Sequence, residues 1–447
     1  MSKFLKVTPK VSSIPNRKIM DGKARHRAEL WDQMQLFFQK YNDHQLHCAI
    51  FFEKQLDFEL IKKSVLFTMR ILPLLNSRFV EDYVFPYWEN MNLIIDDTIT
   101  FVDNNNVTEE IDSFLTGKTD EFKGPQLRVR IVRNVGKDTL CIVMNHMICD
   151  GAGFKEYLYL LGSIYTNLRR DPTYEPEYKE GGSRSSSQIL RQVKLSDKLR
   201  MLFMPNHLQK HKIQHFFPLS GDCVTSPSIL SFKLNSDQFL KLKEYGRKQG
   251  ATINDIVLAA YIRVLYKVID IKTDNSIPIS CMVDLRRFLP DKKAEAICNL
   301  TSTIICDIDF KLGESFDETV TKIKQVMDEQ KSKYPGLNGL FMLSVIFKLF
   351  PYKIVKKLIG KFFVNPSIAL SNIGIIDESR LIFDNINVED AFITGGIKYY
   401  PYFLLALTSF HNSITFTISL YGAEKDRQQV ELFFRLLNNE FEQQITL

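Results

Sequence analysis

Met144-Asn145-His146-Met147-Ile148-Cys149-Asp150-Gly151 closes the apolar run Thr139 to Met144 with a histidine, and an Asp-Gly pair follows four positions later. The run reads as a strand and the polar break after it as a turn. A proton-transfer group therefore stands where a rigid element ends. Histidine, with an unperturbed pKa of about 6.5, takes up and returns a proton near neutral pH. Glycine lets the main chain pass where a side chain would obstruct it. Standing alone, such a pattern arises by composition, and a structural histidine is the simpler reading. Its meaning depends on the rest of the chain.

Immediately upstream, Leu127 to Arg133 alternates apolar residues with arginines and meets the Thr139 run through Asn134 to Asp138, a hairpin pattern. Downstream, Phe154 to Leu168 has helical periodicity. Earlier still, Leu30 to Tyr41 reads as a helix, Gln45 to Phe52 as a strand, and Leu56 to Met69 as a helix opened by Asp57. Pro73 makes a break, and Ser77 to Val80 reads as a strand.

Asp171 to Gln188 changes character, with prolines, paired glycines and a Ser-Arg-Ser-Ser-Ser run, and reads as a connecting segment. The style of the first half then returns. A strand is expected at Ile229 to Leu234 and a helix at Ser236 to Lys248, stopped by Gly250. A second helix runs from near Thr252 to Val268, and a strand follows at Pro278 to Val283. The expected organisation is an N-terminal domain over 1–170 carrying the histidine motif, a crossover over 171–225, and a C-terminal domain over 226–447. The fold class is α/β with mixed sheets in both halves.

With 447 residues, 45% of them hydrophobic and 25% charged, the chain has the composition of an ordinary globular protein large enough for two domains. A net charge of +6, dispersed along the chain, argues against nucleic acid as a partner. Seven cysteines form no C-x-x-C pair, and reduced thiols are expected. The start carries Lys3, Lys6, Lys10, Arg17 and Lys18 but no apolar core segment, so a cytoplasmic location is expected; a monomer is the expected state.

Three further stretches join charge or polarity to a strand end: Asp284-Leu285-Arg286-Arg287, Asn299-Leu300-Thr301, and Ser371-Asn372 after Ser367 to Leu370. Singly, each reads as a turn at a strand end. Together with His146 they supply a base, a fixed cation and hydrogen-bond donors, the set that acyl transfer requires. His207, His211 and His215 recur every four residues, but their segment contains no carboxylate to orient ligating imidazoles. A solvated basic face is the reading, and no metal is expected. His44 and His47 read as structural.

Residues 339–363 are apolar but interrupted by five lysines and Pro351, a pattern for two amphipathic helices rather than a membrane span. Packing on the protein core is the simplest use of such helices. A cover over a ligand channel, or a weak membrane-surface contact, is the other. Neither a phosphate-cradling glycine loop nor a G-x-S-x-G elbow is present, which disfavours serine-nucleophile hydrolysis.

In this order, the motifs resemble those of the chloramphenicol acetyltransferase-like acyltransferases, a superfamily that includes condensation domains, plant BAHD enzymes and microbial alcohol acetyltransferases. Leu56 to Phe79 is similar to the family's first helix and following strand, and His146, Asp150 and Gly151 match its HxxxDG signature. Val283 to Arg286 with Asn299 resembles its second conserved region. Condensation domains carry a second histidine where Asn145 stands, and the BAHD Asp-Phe-Gly-Trp-Gly segment has no counterpart, so the pattern is nearest to the alcohol acetyltransferases.

The resemblance implies two similar domains with a tunnel between them, and His146 as general base on an acceptor alcohol or amine. The donor would be an acyl-CoA, or an acyl thioester on a carrier protein supplied in trans, with no permanently bound cofactor. Asp150 and Gly151 would be structural, Asp150 pairing with Arg286. Ser371 and Asn372 would orient the intermediate.

Overall fold

The alternating run at Leu127 and the apolar run at Thr139 form a hairpin inside a sheet, and their different patterns have one cause: what covers each face. The computed structural model describes residues 17–445 apart from 21–22, 93–94, 178–181, 204–214, 223–224, 270–275, 333 and 335. Its strands are β1 (Arg17–Met20), β2 (Lys23–Arg27), β3 (Gln45–Phe52), β4 (Ser77–Val80), β5 (Tyr87–Asn90), β6 (Ile99–Asp103), β7 (Leu127–Asn134), β8 (Lys137–Asn145), β9 (Ser226–Leu234), β10 (Ile279–Asp284), β11 (Thr301–Cys306), β12 (Ile368–Ile375), β13 (Val388–Thr394), β14 (Phe403–Phe410) and β15 (Ser413–Gly422). Helices α1 (Leu30–Phe37), α2 (Phe58–Ile71), α3 (Val107–Leu115) and α4 (Gly151–Arg170) accompany the first half, and α5 (Ser187–Arg191) and α6 (Leu195–Phe203) lie in the crossing stretch. The second half carries α7 (Ser236–Gln249), α8 (Ile253–Val268), α9 (Phe316–Ser332), α10 (Leu337–Leu349), α11 (Tyr352–Phe362) and α12 (Glu424–Ile445).

The first sheet has the order β13-β3-β8-β7-β6. Cys48, Ile50, Leu140, Ile142, Val129 and Ile131 enter the core under α2 and α4. Ala49, Cys141 and Val143 face Ile111, Phe114 and Leu115 of α3. β8 is covered on both faces and reads as a continuous apolar run. β7 alternates because Arg128 and Arg130 lie over the Phe114 ring at 4.7 and 4.9 Å. The second sheet has the order β11-β10-β12-β14-β15-β9, with α7, α8, α9 and α12 packed on it. A smaller sheet, β1-β2-β5-β4, completes the mixed α/β fold.

The second half lends a strand to the first. β13 pairs antiparallel with β3, Ile393 opposite Cys48, and so completes the sheet that carries His146. Thr408 on β14 anchors it from the other half, its Oγ1 donating to the Ile393 carbonyl at 2.7 Å.

Local chemistry sets most element ends. Asp57 caps α2 by accepting from Leu60 N at 3.1 Å, and Gly250, at φ +61°, closes α7. Helix α4 begins at Gly151 rather than at Phe154 as the periodicity suggested, because Asp150 is its N-cap. Ser371 and Asn372 lie inside β12, which runs on to Ile375, rather than in a turn at a strand end. His207 and His211 lie outside the described residues. His44 and His47 are buried, His44 against Glu121 at 3.2 Å. Six cysteines are free and buried among the described residues. Among those residues no group of His, Cys, Asp or Glu could hold a metal ion, and no helix is long and apolar enough to cross a membrane.

Candidate active site

His146 leaves the end of β8 at the seam between the halves. Its N–H donates to the His44 carbonyl at 2.9 Å, and its own carbonyl accepts from Asn299 Nδ2 at 2.9 Å. The backbone is thus pinned from both halves. The ring is half-buried with Nδ1 shielded from solvent, which leaves Nε2 as the open nitrogen. Burial lowers the imidazole pKa; its own carbonyl and Asp150 oppose this, and Lys398 and His44 reinforce it. Lys398 is itself pushed down to about 8 by burial. His146 is therefore a neutral base at pH 7.

Asp150 turns away from His146. Its Oδ1 accepts from Gly153 N at 2.9 Å, capping α4, while Oδ2 takes Arg286 Nη1 at 2.9 Å and Leu300 N at 2.7 Å. Arg286 also donates to the Cys298 carbonyl at 2.8 Å and to Asp284 at 3.1 Å. Burial would raise the Asp150 pKa, but the guanidinium and the two N–H groups outweigh it and hold it below the usual carboxylate range. The pair joins the histidine loop to the second half across 136 positions of sequence.

Gly151 is required by space rather than by a left-handed backbone. A Cβ there would lie 2.9 Å from Ile373 Cγ2, and Ile373 sits at the irregularity of β12 between Asn372 and Gly374. Lys155 fastens the same contact, donating to the carbonyls of Ile373 and Ile375 at 2.9 and 3.1 Å. The fold thus brings the Ser371-Asn372 segment against the start of α4. Ser371 is half-buried. Asn372 is exposed, donating to Asn254 Oδ1 at 2.8 Å and accepting from Gly374 N at 2.8 Å.

Two groups around the loop escaped or were underrated in the sequence. Asn299, besides holding the His146 carbonyl, donates to the Met147 carbonyl at 3.2 Å. Arg184 lies in the stretch whose serines and glycines suggested a plain connection. Its Nη2 donates to the carbonyls of Met147 and Ile148 at 3.2 and 2.7 Å, and its guanidinium grips Asp32 of α1 bidentately at 2.9 and 3.0 Å. Trp88 Nε1 also reaches Asp32 at 2.9 Å. A lone arginine among serines carries no periodic signal, so sequence alone had nothing to mark it. Arg184→Met is expected to lower stability by about 2 to 3 kcal/mol, since Asp32 keeps its Trp88 donor. Hydrogen exchange at Ile148 to Gly151 should rise with it; unchanged exchange there would show that Arg184 does not hold the loop.

Asn145 is fully buried, with Nδ2 on Gln126 Oε1 at 3.0 Å and Oδ1 accepting from Met147 N at 2.9 Å. Its side chain shapes the turn.

The fold has counterparts among solved structures. Across 94% of the chain, the fold matches the epimerization domain from the third module of tyrocidine synthetase B, with TM-score 0.66, 15% identity and 97% of that chain covered. Trichothecene 15-O-acetyltransferase from Fusarium sporotrichioides matches over 97% of this chain and all 100% of its own, with TM-score 0.68 and 13% identity. The first condensation domain of the calcium-dependent antibiotic synthetase matches over 93% and 96%, with TM-score 0.65 and 14% identity. The chain has the two-domain fold of the chloramphenicol acetyltransferase-like acyltransferases and condensation domains. Within it, residues 297–420 match the model of the WS/DGAT C-terminal domain, an acyltransferase family. A stretch of 132 residues is 27% identical to nonribosomal peptide synthetase 4 of Gibberella zeae; it covers 30% of this chain and 2% of that protein.

Proposed function

We propose that the chain transfers an acyl group from a thioester, acyl-CoA, to the hydroxyl of a small-molecule alcohol, or to an amine, with His146 as the base. The observation that carries this reading is the division of labour in the motif. Asp150 is consumed by Arg286 and the cap of α4, while His146 keeps an open nitrogen in the neutral state. His146 Nε2 takes the acceptor proton as the acceptor oxygen attacks the thioester carbonyl. The tetrahedral oxyanion then collapses, the C–S bond breaks, and the thiolate recovers the proton from the imidazolium. No covalent acyl-enzyme is needed. Holding both substrates in line at the seam of two halves supplies the entropic part of the acceleration.

Ser371 and Asn372 are the candidates for orienting the oxyanion. Asn372→Ala is expected to cut turnover by about 100-fold; unchanged turnover would remove it from the site. Because burial depresses the His146 pKa, the neutral base persists on the acid side of pH 7. The acid limb of kcat/KM is expected to fall below about pH 6.5, the value of an unperturbed histidine. A limb centred above that value would contradict the environment described.

Carrier-dependent condensation or ester formation is the second reading, favoured by the partial match to a nonribosomal peptide synthetase. Free thiol is followed with acetyl-CoA or an acyl-loaded carrier protein and a panel of alcohols and amines. Release from acetyl-CoA above a His146→Ala control supports the first reading, and release from the carrier alone the second. Release from neither would leave a condensation-like binding protein.

A further inference from the structure

We infer that the α10–α11 hairpin, together with the loop before β5, is a docking surface for an anionic lipid bilayer. The inner faces of these helices are already used. Phe347 and Tyr352 lie 6.3 and 5.8 Å from the Phe37 ring of α1, and Leu337 and Leu340 belong to the core beneath. What remains outside is a second apolar surface. Leu349 is 70% exposed and Phe350 43% at the corner between the helices, with Ile354 and Leu358 one turn apart along α11. Tyr83 and Phe85 extend the patch, since the carbonyls of Tyr83 and Val84 accept from Lys353 N and Tyr352 N at 3.3 and 3.1 Å. Isolated exposed apolar residues are ordinary, but a contiguous group on one hairpin marks an interaction site.

The charge on this surface selects the occupant. Lys353 and Lys357 stand one turn apart directly beside the Ile354-Leu358 row, and Lys348 stands at the corner. Arg27 lies over the Phe85 ring at 3.9 Å, adding a cation at the far edge. Residues 337–363 contain no Asp or Glu. Of the acidic neighbours, Glu81 pairs with Lys356, and Asp82 accepts from the N–H groups of Val84 and Phe85. An apolar ridge beside lysines is the pattern of a helix lying in a lipid interface, its residues inserted among acyl chains and its lysines at anionic headgroups. A protein partner would leave that one-signed row to be matched by an acidic counterpart; a bilayer of anionic lipid matches it along its whole length.

The test uses the full chain and needs no knowledge of its substrate, so it stands or falls independently of the acyl-transfer reading. Sedimentation is measured with phosphatidylcholine vesicles and with vesicles containing about one-third phosphatidylserine, at low and high salt. Binding is expected to the phosphatidylserine vesicles and to weaken as salt screens it. Two variants, Leu349→Ser with Phe350→Ser, and Lys348→Gln with Lys353→Gln and Lys357→Gln, are each expected to lose about tenfold or more in partitioning with unchanged thermal melting. Binding indifferent to phosphatidylserine, or variants that bind like the wild type, would overturn the proposal. So would a dimer in sedimentation velocity that the Leu349→Ser, Phe350→Ser variant dissolves, which would give the face to a second copy of the chain.

Discussion

His146→Ala is expected to fold normally and to lose turnover by about 100- to 10,000-fold, the range for removing a positioned general base. The size of the loss follows from the surroundings. The nearest carboxylate in the motif, Asp150, is locked by Arg286, Gly153 N and Leu300 N and cannot take over proton removal. Stability is expected to change by less than about 1 kcal/mol, because the ring is half-buried and neutral and no buried charge loses its partner. Single-turnover thiol release and urea denaturation on the same preparation separate the two quantities. A variant that retains turnover would remove His146 from the chemistry, and one that unfolds would make the histidine structural.

Asp150→Ala is expected to behave in the opposite sense, losing about 3 to 5 kcal/mol of stability because Arg286 is left buried and unpaired. Arg286→Met is expected to do the same from the other side, stranding a carboxylate beside the α4 cap. The double variant Asp150→Leu, Arg286→Met should recover part of the loss, since an apolar pair needs no mutual charge. The ion pair also sets a pH dependence. Asp150 has a lowered folded pKa, so its contribution is complete above the unfolded carboxylate value of about 3.9 and is lost as pH falls through the lower folded value. Urea denaturation across that range checks the sign. An Asp150→Ala protein with full stability and no turnover would refute the structural assignment.

Much of this was legible in sequence where local rules act alone. The limits of β3 follow from its apolar run, and Asp57, Gly250 and Thr252 end their helices by capping chemistry that is local to a few residues. The Asp150–Arg286 pair was legible only through the family resemblance, because nothing in spacing links positions 136 apart. What stayed hidden is long-range. β13 carries no mark that it pairs with β3 rather than within its own half, since an edge strand covered by either sheet shows the same apolar alternation. Arg184 was hidden for a related reason: surrounding serines imply solvent, yet its guanidinium is spent on two loop carbonyls and Asp32. Helix α4 starts three residues before its periodic run, because an N-cap and the two glycines after it carry no apolar periodicity.

The proposed reaction is direct acyl transfer from a thioester to an acceptor bound beside His146. Its most direct test is product analysis by mass spectrometry after incubation with acetyl-CoA and a panel of alcohols, with the intact protein weighed in the same samples. Ester is expected to form in proportion to free CoA, with no acetyl adduct on the chain, and both products are expected to be lost in His146→Ala. An acetylated protein that forms in the wild type and passes its acetyl group to the alcohol, or ester formation that persists in His146→Ala, would contradict it.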